Sequence, residues 1–116
     1  DSTIAYQHFG MGINKSLIIK LNKTILNNVK PNFTFLNIVN IKNIKSRLKI
    51  RQNSNRYDNF KLNFYNKVQN GYMKLSKNKK KYMIINSNDE IVKNKKIIIK
   101  KVNSLLSIWL LIQKKI

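Results

Sequence analysis

Three observations predict an α/β fold, a parallel sheet with helices on both faces, incomplete within these 116 residues. Helical and strand-like patterns follow one another in the order helix, strand, helix, helix, strand, helix. Both strand-like runs are apolar at neighbouring positions instead of strictly alternating, as in strands covered on both faces. Two strands are too few for a stable doubly covered sheet, so the others are expected from residues outside this sequence. The start at Asp1, with no initiator methionine, reads the same way, as a fragment with an N-terminal stretch missing.

Taken in order, Asn14 can cap a helix whose apolar residues Leu17, Ile18, Leu21, Ile25 and Val29 recur at three and four, one stripe facing a core, with Pro31 ending it. The run Phe33 to Val39 is aromatic and β-branched and predicts a buried parallel strand. Asn40 can cap a second helix carrying Ile41, Ile44 and Leu48, and the polar stretch Gln52 to Asn55 reads as a loop. From about Asn59, Phe60, Phe64, Val68, Tyr72 and Leu75 fall at helical spacing and lead into a lysine-rich turn. Tyr82 to Ile85 predicts the second strand. Ser87-Asn88-Asp89-Glu90 has capping-box spacing before a helix bearing Ile91, Val92, Ile98, Val102 and Leu105. The apolar run Leu105 to Ile112 is far below the roughly 20 residues a bilayer crossing needs, so a buried or partner-facing helix end is expected, and no membrane. Residues 1–105 read as one domain and 106–116 as its helix end or tail.

Composition excludes some chemistry. Without cysteine there is no disulfide framework, thiolate metal site or cysteine nucleophile, and with no signal peptide a cytoplasmic setting is the plain expectation. The net charge of +20 would ordinarily point to nucleic acid. However, lysine (21), asparagine (19) and isoleucine (18) supply half the residues, and all three have A/T-rich codons, so coding bias explains the charge. The lysines are also spread along the chain, and the dense run Lys77, Lys79, Lys80, Lys81 reads as a solvated loop.

Arginine behaves differently. The only three, Arg47, Arg51 and Arg56, fall within ten positions, in a chain where lysine does every other cationic task. Retaining a planar, bidentate donor only here points to phosphate as its ligand. Chance clustering or ion pairing would be the bland alternative, but four acidic residues supply little pairing. His8 is the sole histidine, with no carboxylate or thiol cluster in sequence around it, so no metal site is expected and a surface or pocket-rim position is.

Several motifs, in order, resemble bacterial thymidylate kinases. Asp1-Ser2-Thr3-Ile4-Ala5-Tyr6-Gln7 with Gly10-Met11-Gly12 is similar to the family's D-S-x-x-A-Y-Q segment and G-x-G turn. Lys30-Pro31-Asn32-Phe33-Thr34-Phe35-Leu36 resembles its K-P-D-L-T-F-L strand. Arg51 through Arg56-Tyr57-Asp58 resembles its mobile lid, about residues 51–58. Phe64 to Leu75 follows its F-[HY]-x-[RK]-V-[RQ]-x-G-Y-x-x-L helix, and Tyr82 to Ile91 its closing strand and helix. The resemblance runs to about Leu105.

What the resemblance implies is the C-terminal part of a P-loop kinase fold that moves the γ-phosphoryl of ATP to dTMP, with Mg²⁺ as cofactor and helix-mediated homodimers. Ser2 and Thr3 would lie beside the thymine, with Gln7 completing the motif. Tyr6 would lie under the deoxyribose, where a ring can crowd out a 2′-hydroxyl; taken without its neighbours it would read as an ordinary buried tyrosine. Arg51 and Arg56 would approach the transferred phosphoryl from the lid, and Arg47 would stack near the adenine. Asn55 stands where the family commonly has aspartate and Asp58 where glutamate is usual, which leaves the lid's contacts to dTMP open. The family's G-x-[DE]-G-x-G-K-[ST] loop has no counterpart among these residues, so the 116 residues alone are expected to be inactive.

A small basic RNA-binding protein of ribosomal type is the competing reading. It explains the charge directly. It leaves the ordered motifs and the confinement of arginine unexplained.

Overall fold

A computed structural model of the chain describes residues 1–27, 29–51 and 61–113. A π-helical segment, Ile4–Gly10, precedes α1 (Lys15–Ile25), β1 (Thr34–Ile38), α2 (Ile41–Ile50), α3 (Leu62–Leu75), β2 (Tyr82–Asn86) and α4 (Ile91–Gln113). The predicted order of helices and strands holds. The π-helical segment was not foreseen in the opening residues.

β1 and β2 pair in parallel, from Thr34 opposite Tyr82 to Ile38 opposite Asn86. The ladder is extended at both ends, where Thr34 N–H donates to Lys81 O and Ser87 N–H to Ile38 O, each at 2.8 Å. Leu36 and Ile85, the buried residues of the pair, sit in adjacent register positions on the two strands. A two-stranded sheet leaves both outer edges unpaired, which is why so few strand side chains are fully covered.

Two of the predicted caps form. Asn14 Oδ1 accepts from Ser16 N–H at 2.8 Å and Leu17 N–H at 3.3 Å, and Asn40 Oδ1 accepts from Asn43 N–H at 2.8 Å. Each satisfies donors that the first helical turn leaves unpaired.

Three expectations need correction. α1 ends at Ile25, well before Pro31, because Asn27 adopts a left-handed backbone (φ 43°) that a helix cannot continue through, so Val29 lies outside it. Its stripe does not line a core: Ile18 is buried, while Leu17, Leu21 and Ile25 are exposed. The capping box does not form either, since α4 begins at Ile91 and Ser87 to Glu90 make the preceding turn. That turn is held by Asn86, whose Oδ1 accepts from Asn88 N–H at 3.1 Å and Asn88 Nδ2 at 2.6 Å. Lys93 also pairs with Asp89 at 2.8 Å across the first turn of α4.

The best-packed region joins the π-helical segment to α3. Ala5, Phe64 and Val68 are buried there, with Tyr6, Tyr65, Tyr72 and Leu75 packed around them. Two glycines allow this close approach. A Cβ at Gly71 would stand 2.5 Å from the Phe9 ring, and one at Gly10 would stand 2.6 Å from the Phe64 ring. Gly12 makes the following turn with φ 80°.

α4 continues without a break through Leu105 to Gln113. Asn94, Ile98, Lys101 and Leu105 form its half-buried stripe. Beyond Leu105 it has no covered side, and Leu106, Ile108, Trp109, Leu110, Leu111 and Ile112 are all exposed. Within this chain the described end of α4 is therefore not buried. Among the described residues no helix is long and apolar enough to cross a membrane.

Candidate functional site

In parallel α/β sheets, ligands gather beyond the carboxyl ends of the strands, because the connecting loops and helix N-termini there are free to form a crevice. In this chain that end is where β1 passes through Asn40 into α2 and β2 passes through residues 87–90 into α4. Arg47 of α2 reaches across it, and its Nη2 donates to the carbonyl of Ser87 at 2.6 Å. A cavity of about 700 Å³ opens beside this contact, walled by Asn37, Arg47 and Ser87 at the strand ends and by Asn94, Lys95 and Ile98 of α4.

Ser2, Thr3, Tyr6 and Gln7 line one cavity of about 350 Å³. The helical winding of the opening residues explains this: side chains that would point apart in an extended strand are brought round to one side. π-helical turns are uncommon and often found at functional positions, because the extra residue re-aims the side chains that follow.

Tyr6 also lines a smaller cavity, about 120 Å³, walled by Ile38, Ile44, Gln69 and Tyr72 among others. Its ring meets Phe64 edge-on (centroids 5.9 Å, 61°) and Tyr72 edge-on (6.4 Å, 82°). Such edge contacts fix a ring's plane.

Tyr72 and Gln69 are contributors that sequence reasoning had read only as part of a helix motif. Burial, and after it the neighbouring Tyr6, push the Tyr72 phenol above its ordinary range, and hydrogen bonding from the Ser2 side chain opposes them. Gln69 Oε1 accepts from the Val39 N–H at 3.2 Å, tying α3 to the end of β1. Tyr72 and Gln69 were both visible in the motif, but only as conformity to a helix pattern, which carries no information on what they face.

His8 is half-buried, and its Nδ1 bonds the Ile13 carbonyl at 2.9 Å. This fastens the Gly10–Gly12 turn. Asp1 Oδ2 accepts from the Tyr82 hydroxyl at 2.6 Å, joining the opening residues to β2.

Arg51 directly follows α2, one turn beyond Arg47, and its N–H bonds the Leu48 carbonyl at 3.4 Å. Arg56, with Asn55 and Asp58, lies outside the described residues. Among the described residues no three of histidine, cysteine, aspartate and glutamate converge into a metal-binding group.

Comparison with known proteins places this geometry in context. The family profile described as thymidylate kinase matches residues 1–98. A thymidylate kinase of Sulfurihydrogenibium sp. (strain YO3AOP1) is 31% identical over 100 residues, covering 85% of this chain and 48% of its own length. One of Trichodesmium erythraeum (strain IMS101) is 35% identical over 88 residues, 76% of this chain and 39% of its own. One of Anaplasma phagocytophilum (strain HZ) is 33% identical over 94 residues, 81% of this chain and 41% of its own. The chain thus spans about half, or less, of the length of these relatives.

Proposed function

The chain belongs to the thymidylate kinase family, and from that premise we propose that it forms part of an enzyme transferring the γ-phosphoryl of ATP to dTMP. In that reaction an oxygen of the dTMP 5′-phosphate attacks the γ-phosphorus. The bond to the β,γ-bridging oxygen breaks, its electron pair leaves with ADP, and dTDP is formed. The observation that carries the reading is the convergence of Ser2, Thr3, Tyr6 and Gln7 on one cavity.

Each residue has work suited to its chemistry. Ser2 and Thr3 offer hydroxyls that both donate and accept, which suits a base edge. Tyr6, braced from behind by Phe64 and Tyr72, offers a flat apolar face to the sugar. A ring held this rigidly discriminates against an added 2′-hydroxyl by leaving it neither room nor a partner. Arg47, at the strand ends, is suited to stack on the adenine of ATP. Arg51 and Arg56 would supply positive charge to the phosphoryl oxygens as the transition state forms. Mg²⁺ finds no carboxylate cluster among the described residues, and a phosphate-binding loop is not part of these 116 residues.

A homodimer and a cytoplasmic setting belong to the same reading. The exposed apolar residues of α1, such as Leu17 and Leu21, are candidates for such a contact. Residues 1–105 act in it as one domain, with α4 beyond Leu105 as a projecting end. The RNA-binding alternative gains nothing from the relatives found, which are thymidylate kinases.

The test is a chimera in which residues 1–116 follow the N-terminal half of one of these relatives. Conversion of dTMP to dTDP with ATP is the expected result. Salt-dependent RNA binding without dTMP turnover would overturn the proposal.

A further inference from the structure

The side-chain amide of Asn88 stands at a junction that the reading so far leaves unused. Its Oδ1 accepts two hydrogen bonds from the start of α2, from Asn40 N–H at 3.2 Å and from Asn43 Nδ2 at 2.9 Å. Its own Nδ2 donates to Asn86 Oδ1 at 2.6 Å, and its backbone N–H donates to the same oxygen at 3.1 Å. The amide orientation is fixed by this chemistry, because a flipped group would set NH₂ against two donors. Asn86 is held in turn: its Nδ2 donates to Asp89 Oδ1 at 3.3 Å, and its carbonyl accepts from Asn94 Nδ2 at 2.8 Å.

The helix carries this fixation onward. Asn40, Asn43 and Arg47 are spaced at three and four, so they share one face of α2. That face looks onto the β2–α4 turn, where Arg47 donates to Ser87 O, the residue next to Asn88. One turn of backbone is therefore gripped twice from α2, once by Asn43 through the Asn88 side chain and once by Arg47 through the Ser87 carbonyl. These polar groups sit largely in water, so each bond is worth little alone.

We propose that Asn88 is a positioning residue: through one side-chain oxygen it fixes where α2 begins and hence how Arg47 stands beside the cavity at the strand ends. The proposal rests on the reading of Arg47 as an ATP contact for its functional half, while its structural half is independent of that reading. Asn88 touches no reacting atom in this scheme.

The test compares wild type with Asn88→Ala and Asn88→Asp. The aspartate keeps an oxygen where the two donors of α2 point, but loses the bond to Asn86 and sets its second oxygen against Asn86 Oδ1. Amide exchange, by NMR, and kinetics are both read in the chimera. Asn88→Ala is expected to speed exchange at the Asn40 N–H and the Asn43 side-chain amide by about 2- to 10-fold, the range one such bond supplies, and Asn88→Asp to restore most of the protection. In the chimera, Asn88→Ala should raise KM for ATP by a similar factor while kcat stays within about twofold, with Asn88→Asp again close to wild type. Unchanged exchange at Asn40 and Asn43 in Asn88→Ala would overturn the proposal. Faster exchange with an unaltered KM for ATP would overturn the link from Asn88 to Arg47. A wild-type chimera without kinase activity would instead count against the kinase reading, and the exchange comparison would still decide whether Asn88 sets the start of α2.

Discussion

Arg47 of α2 and Ser87 of the β2–α4 turn lie 40 positions apart in sequence and meet at 2.6 Å, guanidinium to backbone carbonyl. The contact bridges the ends of two adjacent parallel strands, and a cavity of about 700 Å³ opens beside it. Arg47→Ala should raise KM for ATP in the chimera by about 3- to 30-fold with a smaller change in kcat, since a base contact binds ground and transition states alike. Steady-state kinetics at varied ATP would show it. A loss confined to kcat would assign Arg47 to the chemistry.

Arg51 and Arg56 are expected to behave in the opposite way. Lysine offers a point charge where a guanidinium spans two phosphate oxygens, so lysine should not substitute. Arg51→Lys and Arg56→Lys should each lower kcat by roughly 10- to 1000-fold, about 1.4 to 4 kcal/mol, with smaller effects on KM. Losses confined to KM would make them ground-state ligands, and full kcat in both variants would remove the lid assignment.

Gly71→Ala tests the packing of the π-helical segment on α3. The added methyl would stand 2.5 Å from the Phe9 ring and 2.7 Å from the Phe9 Cβ, close to its backbone, so the ring cannot simply swing aside. Overpacking of this kind costs about 1–3 kcal/mol. A lowered Tm for the chimera, with weaker dTMP binding, is expected from thermal unfolding and calorimetry. An unchanged Tm would show that the π-helical segment moves freely on α3.

Tyr72 should ionise later than an ordinary tyrosine, whose value is 10.0, because burial disfavours the phenolate. A folded-state pKa raised above the unfolded one gives a stabilising contribution that is fully present below pH 10 and lost as pH rises through the folded value. Wild type should therefore lose stability above pH 10 more steeply than Tyr72→Phe. Denaturant unfolding of both at pH 8 and above 10 reads the difference, and parallel losses would contradict it.

Much of the fold was legible because its signals are local. Asn14 and Asn40 cap helices where they stand just before apolar periodicity, and the strand after Pro31 needs only its own composition to be recognised. The failures were non-local or competitive. At Ser87 the capping-box spacing lost to Asn86, whose amide holds the turn from outside the box. The end of α1 was set by Asn27 in a left-handed conformation, a more local stop than Pro31. Ser2, Thr3, Tyr6 and Gln7 could be named from their motif, but their meeting on one cavity depends on π-helical winding, for which the sequence carries no periodic sign. The roles of Tyr72, Gln69 and Asn88 depend on partners tens of residues away and could not be read from spacing.

The proposed function turns on whether the cavity around Tyr6 holds the deoxyribose of dTMP. The most direct test is the ratio of kcat/KM for dTMP over its ribose analogue, measured in the chimera with Tyr6 and with Tyr6→Ala. Removing the ring opens space for the 2′-hydroxyl, so the ratio should fall by about 10-fold or more, mainly through improved use of the ribose substrate. A ratio unchanged by Tyr6→Ala, in a chimera that turns over dTMP, would contradict the account.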